Sequence, residues 1–212
     1  MELELIKNGT RIDGRKLDEL RPIYAAVGVL KNANGSAMFK LGNTTAIAGV
    51  FGPRTERNRP GTSRRSTEIS MVTRQALTPL VFLDEFPKTA IDVHIEVLQA
   101  DASTRCVGIN AAALALADAG IPMRDLISSC SAGKVGEHTV LDVAGKEDTE
   151  GELDLPVAYY PRKKQITLLQ MDGVTDSREV KEIIKLAVKG CEKIYDEQKK
   201  ALRSKYKLEE SE

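Results

Sequence analysis

Three groups of residues in this chain have the types and spacing to do chemistry. The first is Asp101-Ala102-Ser103-Thr104-Arg105, where an alternating segment changes to helix spacing. A strand that turns sharply into a helix leaves the first backbone N–H groups without partners, and the helix dipole favours an anion there. Small residues, two hydroxyls and one guanidinium make this turn a candidate phosphate pocket; a simple helix cap with Arg105 as a surface charge is the competing reading. The second group is Glu147-Asp148-Thr149-Glu150-Gly151-Glu152-Leu153-Asp154, with five carboxylates in eight residues. Their repulsion is relieved by a cation or by water. Asp154 falls in an alternating stretch, on the face opposite Leu153 and Leu155. Asp148 and Asp154 could together hold Mg²⁺ or Mn²⁺, or one could be a general acid; a solvated acidic loop is the alternative. The third group is the loop from Gly52 to Ser66, where Arg54, Arg57, Arg59, Arg64 and Arg65 face only Glu56. Arginine, rather than lysine, suits bidentate contacts to phosphate. Taken together, the groups are what phosphoryl transfer on a polyanion needs.

The elements that must position them can be read from periodicity. Ile91, Val93, Ile95 and Val97 alternate with Asp92, His94 and Glu96, which predicts a half-buried strand. Helix spacing begins at Thr104, six alanines between Ala111 and Ala119 favour the helix, and Gly120 with Pro122 ends it. Upstream, residues 23–30, 36–41 and 44–51 read as a β-meander with a hairpin turn at Asn32 to Gly35. Residues 66–86 have helix spacing that Pro79 should end or kink. Strands are expected at 126–132, 139–143, 153–159 and 165–171, the last ended by Asp172-Gly173, with the acidic group as a loop leading into the third. A long amphipathic helix follows at about 176–206, capped by Asp176 or Ser177, with Glu179 three residues after Asp176 as in a capping box. The order βββ–α–β–α–ββ–ββ–α predicts an α+β fold of layered β-sheets and helices, with residues 1–212 as one domain.

At 212 residues the chain can bury a sizeable core. Its formal net charge of zero argues against coating nucleic acid through bulk electrostatics, so any such contact is local or shared with a partner. With no Trp and 4% aromatics, base stacking is not the main binding mode. Cys106, Cys130 and Cys191 are far apart and read as buried reduced thiols. No signal peptide or membrane-length apolar run is present, so no membrane partner and a cytoplasmic location are expected.

Five long motifs carry a resemblance: RIDGRKLDELRPI (11–23), VGVLKNANGSA (27–37), RRSTEIS (64–70), FPKTAIDVHIEVLQADASTR (86–105) and ALADAGIPMRDL (115–126). They resemble the RNase PH family, in the form its archaeal exosome members take, over nearly the whole chain. The resemblance implies an RNase PH-like (ribosomal protein S5 domain 2-like) fold and a phosphorolytic 3′→5′ exoribonuclease. Inorganic phosphate is then the co-substrate, single-stranded RNA the substrate and nucleoside 5′-diphosphate the product. It implies an alternating hexamer with a related non-catalytic subunit, and an RNA-binding cap protein. By motif position it places the catalytic, metal-holding pair on Asp148 and Asp154. It likewise places phosphate binding on Ser103, Thr104 and Arg105, and the RNA 3′ end on Arg64 and Arg65. Two rivals share these motifs: a self-assembling hexamer that trims tRNA, and a non-catalytic ring subunit; the aspartate pair favours the active subunit. The chain departs from the family in two places. Ala102-Ser103 stands where glycines are common. Only Thr55 to Ser63 separates Arg54 from Arg64, where the family carries a basic pore loop and a further strand.

Overall fold

A computed structural model describes residues 5–54 and 64–206, with only the backbone of residues 64–66. A short hairpin, β1 (Ile6–Lys7) and β2 (Thr10–Arg11), precedes the meander β3 (Ile23–Val27), β4 (Gly35–Leu41) and β5 (Thr44–Arg54). Helix α1 (Arg64–Leu77) ends before Pro79 as expected. Strand β6 (Ala90–Gln99) leads into α2 (Thr104–Asp118), then β7 (Ser128–Val135) and β8 (His138–Leu141). A short helix α3 (Lys146–Glu150) precedes β9 (Leu153–Tyr160), β10 (Gln165–Leu169), the two-residue β11 (Asp172–Gly173) and the long α4 (Ser177–Tyr206).

Beyond the β1-β2 hairpin, the strands form two antiparallel sheets, β3-β4-β5-β6 and β10-β9-β7-β8 with β11 also on β9. Helix α2 is buried between them. Its residues Val107, Ile109 and Ala111 to Leu116 belong to one core cluster that also takes Phe39 and Val50 from the first sheet and Leu155 and Val157 from the second. The alanines explain the closeness: small side chains let a helix approach strands on both sides. Helix α4 covers the second sheet through Ile183, Ala187, Cys191 and Ile194. Of the two candidate caps it is Asp176 that serves, its Oδ1 accepting from the N–H groups of Arg178 (2.6 Å) and Glu179 (3.0 Å). Glu179 does not complete a capping box; its carboxylate takes Lys134 Nζ at 2.7 Å.

Three expectations are corrected. The acidic stretch is not a loop throughout, because Lys146–Glu150 is helical. Strand β6 does not bury its whole apolar face: Ile91, Val93 and Ile95 pack on the core, but Val97 is 43% exposed. The cause is topology, since β6 is the edge of its sheet and β5 is its only strand neighbour among the described residues. Asp172-Gly173 does not simply end a strand, because it pairs with β9. The three cysteines are buried and free, as expected, and among the described residues no helix is long and apolar enough to cross a membrane.

Candidate active site

The turn between β6 and α2 is fixed from outside itself. Thr44 Oγ1 donates to the Ala102 carbonyl (2.8 Å) and accepts from the Asp101 N–H (2.9 Å). Arg21 donates to the Asp101 carbonyl while gripping the buried carboxylate of Asp142 through Nε (2.9 Å) and Nη2 (2.6 Å). Ala102 and Ser103 both sit in the left-handed region, at φ 59° and 53°. That conformation suits glycine, which accounts for the residue type the resemblance leads one to expect there. Ser103 heads α2 but makes no capping bond. Its hydroxyl donates instead to the Val143 carbonyl (2.9 Å) and lies 3.0 Å from Ser131 Oγ. What Ser103 can offer an anion is its backbone N–H. Thr104 and Arg105 follow as the first half-buried residues of the helix.

Arg11, from the hairpin that precedes the meander, supplies the second brace. Arg11 is buried and donates through Nε to Glu147 Oε1 (2.7 Å), through Nη2 to Glu147 Oε2, and to the carbonyls of Leu141 and Asp142. Glu147, also buried, thereby anchors α3 and leaves its neighbour Asp148 exposed. A Cβ added to Gly145, just before α3, would meet Asp101 Oδ1 at 3.4 Å, so the turn and α3 are adjacent.

Asp154 lies on β9, opposite Gly133 of β7 on one side and Asp172 of β11 on the other. A Cβ on Gly133 would fall 2.1 Å from the Leu153 carbonyl oxygen, so only glycine lets β7 lie this close. Burial pushes the Asp154 carboxyl up to about 6, with the charges of Asp148 and Asp172 adding to it. Arg105 and the Ser131 hydroxyl pull it back. Asp154 Oδ1 is buried with no hydrogen-bond partner. Such an atom, beside a second carboxylate, is the donor set a hard divalent cation prefers; Mg²⁺ commonly takes one or two carboxylates and fills its remaining positions with water and substrate phosphate. Among the described residues no cluster of three or more His, Cys, Asp or Glu side chains could hold a metal, so the fit is to a two-carboxylate site completed by substrate.

The structure therefore brings Ser103, Thr104, Arg105, Asp148 and Asp154 together. The side chains of Arg64 and Arg65 lie outside the described residues, as do Arg57 and Arg59. The backbone of Arg64 and Arg65 opens α1, and Glu68 on the next turn comes within 3.9 Å of Arg105 Nη1. Arg54 pairs with Asp92, Nε to Oδ2 at 2.6 Å. Sequence reasoning missed Gln170 and Asp172. Gln170 Oε1 accepts from Arg105 Nη1 at 2.6 Å. Nothing in residue type or periodicity marks either residue, because strand pairing alone brings them to the site.

The profile described as "3' exoribonuclease family, domain 1" matches residues 19–62 and 55–122, and that of domain 2 matches residues 125–190. The chain belongs to the RNase PH family. It is 53% identical to the exosome complex component Rrp41 of Pyrococcus furiosus over 231 residues, covering 96% of this chain and 92% of that one. It is 51% identical to the Pyrococcus horikoshii protein of the same name, covering 99% and 97%. The rice Rrp46 crystal structure shares the fold with a TM-score of 0.83 at 24% identity, covering 91% of this chain and 100% of that one. The 231 aligned positions exceed the 212 residues of this chain, so the alignment opens gaps in it. The two stretches matched by the domain 1 profile overlap at 55–62, which places a family segment that this chain lacks next to Arg54.

Proposed function

We propose that this chain is the catalytic subunit of an archaeal-type exosome core, degrading single-stranded RNA from the 3′ end by phosphorolysis. The observation that carries the reading is that Arg105, at the start of α2, is bonded to Gln170, whose backbone is held on the strand that carries Asp154, and that the buried Oδ1 of Asp154 lacks a partner. In this reading the Arg105 guanidinium, the Thr104 hydroxyl and the Ser103 N–H bind inorganic phosphate. Arg64 and Arg65, at the start of α1, hold the last phosphodiester of the RNA. A phosphate oxygen attacks the terminal phosphorus, and the 3′ oxygen of the preceding nucleotide leaves. The products are a nucleoside 5′-diphosphate and an RNA one nucleotide shorter. Asp148 and Asp154 would hold Mg²⁺ or Mn²⁺, which supplies charge stabilisation at the reacting phosphoryl oxygens. One carboxyl of the pair would assist proton transfer to the leaving 3′ oxygen. The reaction is reversible, so excess nucleoside diphosphate extends the RNA.

The partners of this reading are a related non-catalytic subunit alternating in a hexamer and an RNA-binding cap protein, in the cytoplasm. The test is degradation of single-stranded RNA with Mg²⁺, with and without inorganic phosphate, by the chain alone and with the partner subunit. Nucleoside diphosphates that form only with phosphate support the reading, and dependence on the partner supports the alternating ring. Monophosphates formed without phosphate refute phosphorolysis. A stable self-hexamer active without the partner favours the tRNA-trimming form instead.

A further inference from the structure

We infer that Gln170 is the positioning residue for phosphate: it aims the Arg105 guanidinium while leaving its charge free. The inference rests on the reading of Arg105 as the phosphate ligand. Gln170 lies between β10 and β11, and both neighbours are registered on β9, the strand that carries Asp154. Leu169 pairs with Val157, the Gln170 N–H donates to the Pro156 carbonyl (3.1 Å), and Asp172 pairs with Asp154. The backbone of Gln170 is thus fixed in the frame of the catalytic carboxylate. Its side-chain oxygen then accepts from Arg105 Nη1 at 2.6 Å. One amide ties the anion-binding helix start to the carboxylate strand.

The chemistry of the acceptor matters as much as its place. A guanidinium has five N–H donors in a fixed fork, and its Nε/Nη2 edge suits a bidentate phosphate. Gln170 occupies Nη1, and among the described residues no other acceptor bonds the guanidinium. Among the described residues the one carboxylate within ion-pair distance of Arg105, Glu68, is 3.9 Å away and half exposed, so it pairs weakly. A neutral amide orients the fork without cancelling the positive charge that phosphate needs. A glutamate in the same place would pair with Arg105 and repel the incoming anion.

The experiment measures kcat and the KM values for inorganic phosphate and RNA, using the full chain assembled with its ring partner. Gln170→Met removes the acceptor at nearly the same length and is expected to raise the phosphate KM about tenfold. Gln170→Glu keeps the length and an acceptor oxygen and is expected to raise it at least as much; a merely structural role would leave it close to the parent. The RNA KM stays within about twofold in both variants. Should Gln170→Met fold poorly, the isosteric Gln170→Glu decides alone. Arg105→Gln separates the two levels. If it raises the phosphate KM while both Gln170 variants match the parent, the role of Gln170 is overturned and that of Arg105 stands. If Arg105→Gln also leaves the phosphate KM unchanged, the phosphate reading falls, and this inference with it.

Discussion

Replacing Asp154 with asparagine should abolish activity and stabilise the metal-free fold. The carboxyl is held at about 6 by burial and by the charge of Asp148, against 3.8 when unperturbed. Ionised in the folded protein, it costs up to about 3 kcal/mol. The sign follows from proton binding. Between roughly pH 4 and 6 the folded state holds this proton and the unfolded chain has lost it, so stability falls as pH rises through that window. Above about pH 6 the whole cost is present; below about pH 4 none of it is. Asparagine has the same shape without the charge, but it places an amide where Oδ1 already lacks a partner, at a cost of about 1 kcal/mol. The net gain is about 2 kcal/mol at pH 8, or about 5 °C in Tm for a chain of this length. The assay is thermal and urea denaturation of parent and Asp154→Asn with a chelator, at pH 8 and pH 4. The gain should appear at pH 8 and vanish at pH 4. Added Mg²⁺ or Mn²⁺ should raise the Tm of the parent and not that of the variant. A variant no more stable than the parent at pH 8, or one with the same advantage at both pH values, would refute the reasoning.

Removing the neighbouring charge with Asp148→Asn should lower the Asp154 pKa from about 6 toward 3.8, since Asp148 is the second cause of its elevation; carboxyl NMR titration of the metal-free chain reads the shift. Glu147→Gln leaves the buried Arg11 guanidinium without its carboxylate and should cost about 3–5 kcal/mol in urea unfolding. Arg11→Met in the same chain should recover part of that loss. Ala102→Gly relieves a left-handed alanine at φ 59° and should stabilise by about 1 kcal/mol, with the urea m-value unchanged.

The parts of this molecule legible in its sequence are those governed by local periodicity and capping. The alanine run of α2, the Asp176 cap of α4 and the halt of α1 before Pro79 depend on near neighbours, and each forms where the spacing predicts. The candidate site was legible as residue types, because a hydroxyl-rich turn and a paired carboxylate are recognisable alone. What joins them was not. Arg11 reaches Glu147 across 136 residues, Arg21 reaches Asp142 across 121, and Arg105 reaches Gln170 across 65. In the sequence, nothing in the type or spacing of Arg11 and Arg21 marks them as buried. Burial turns them into the brace between the phosphate turn and α3. The acidic stretch misled in the same way. Five carboxylates in eight residues suggest one function, yet folding gives three of them different work: Glu147 anchors a helix, Glu152 accepts from the Gly136 N–H at 2.7 Å, and Asp154 lies on β9 opposite Asp172. A carboxylate cluster thus becomes a site only where the fold withholds partners, and Asp154 Oδ1 is the one carboxylate oxygen in that stretch left buried and unpartnered.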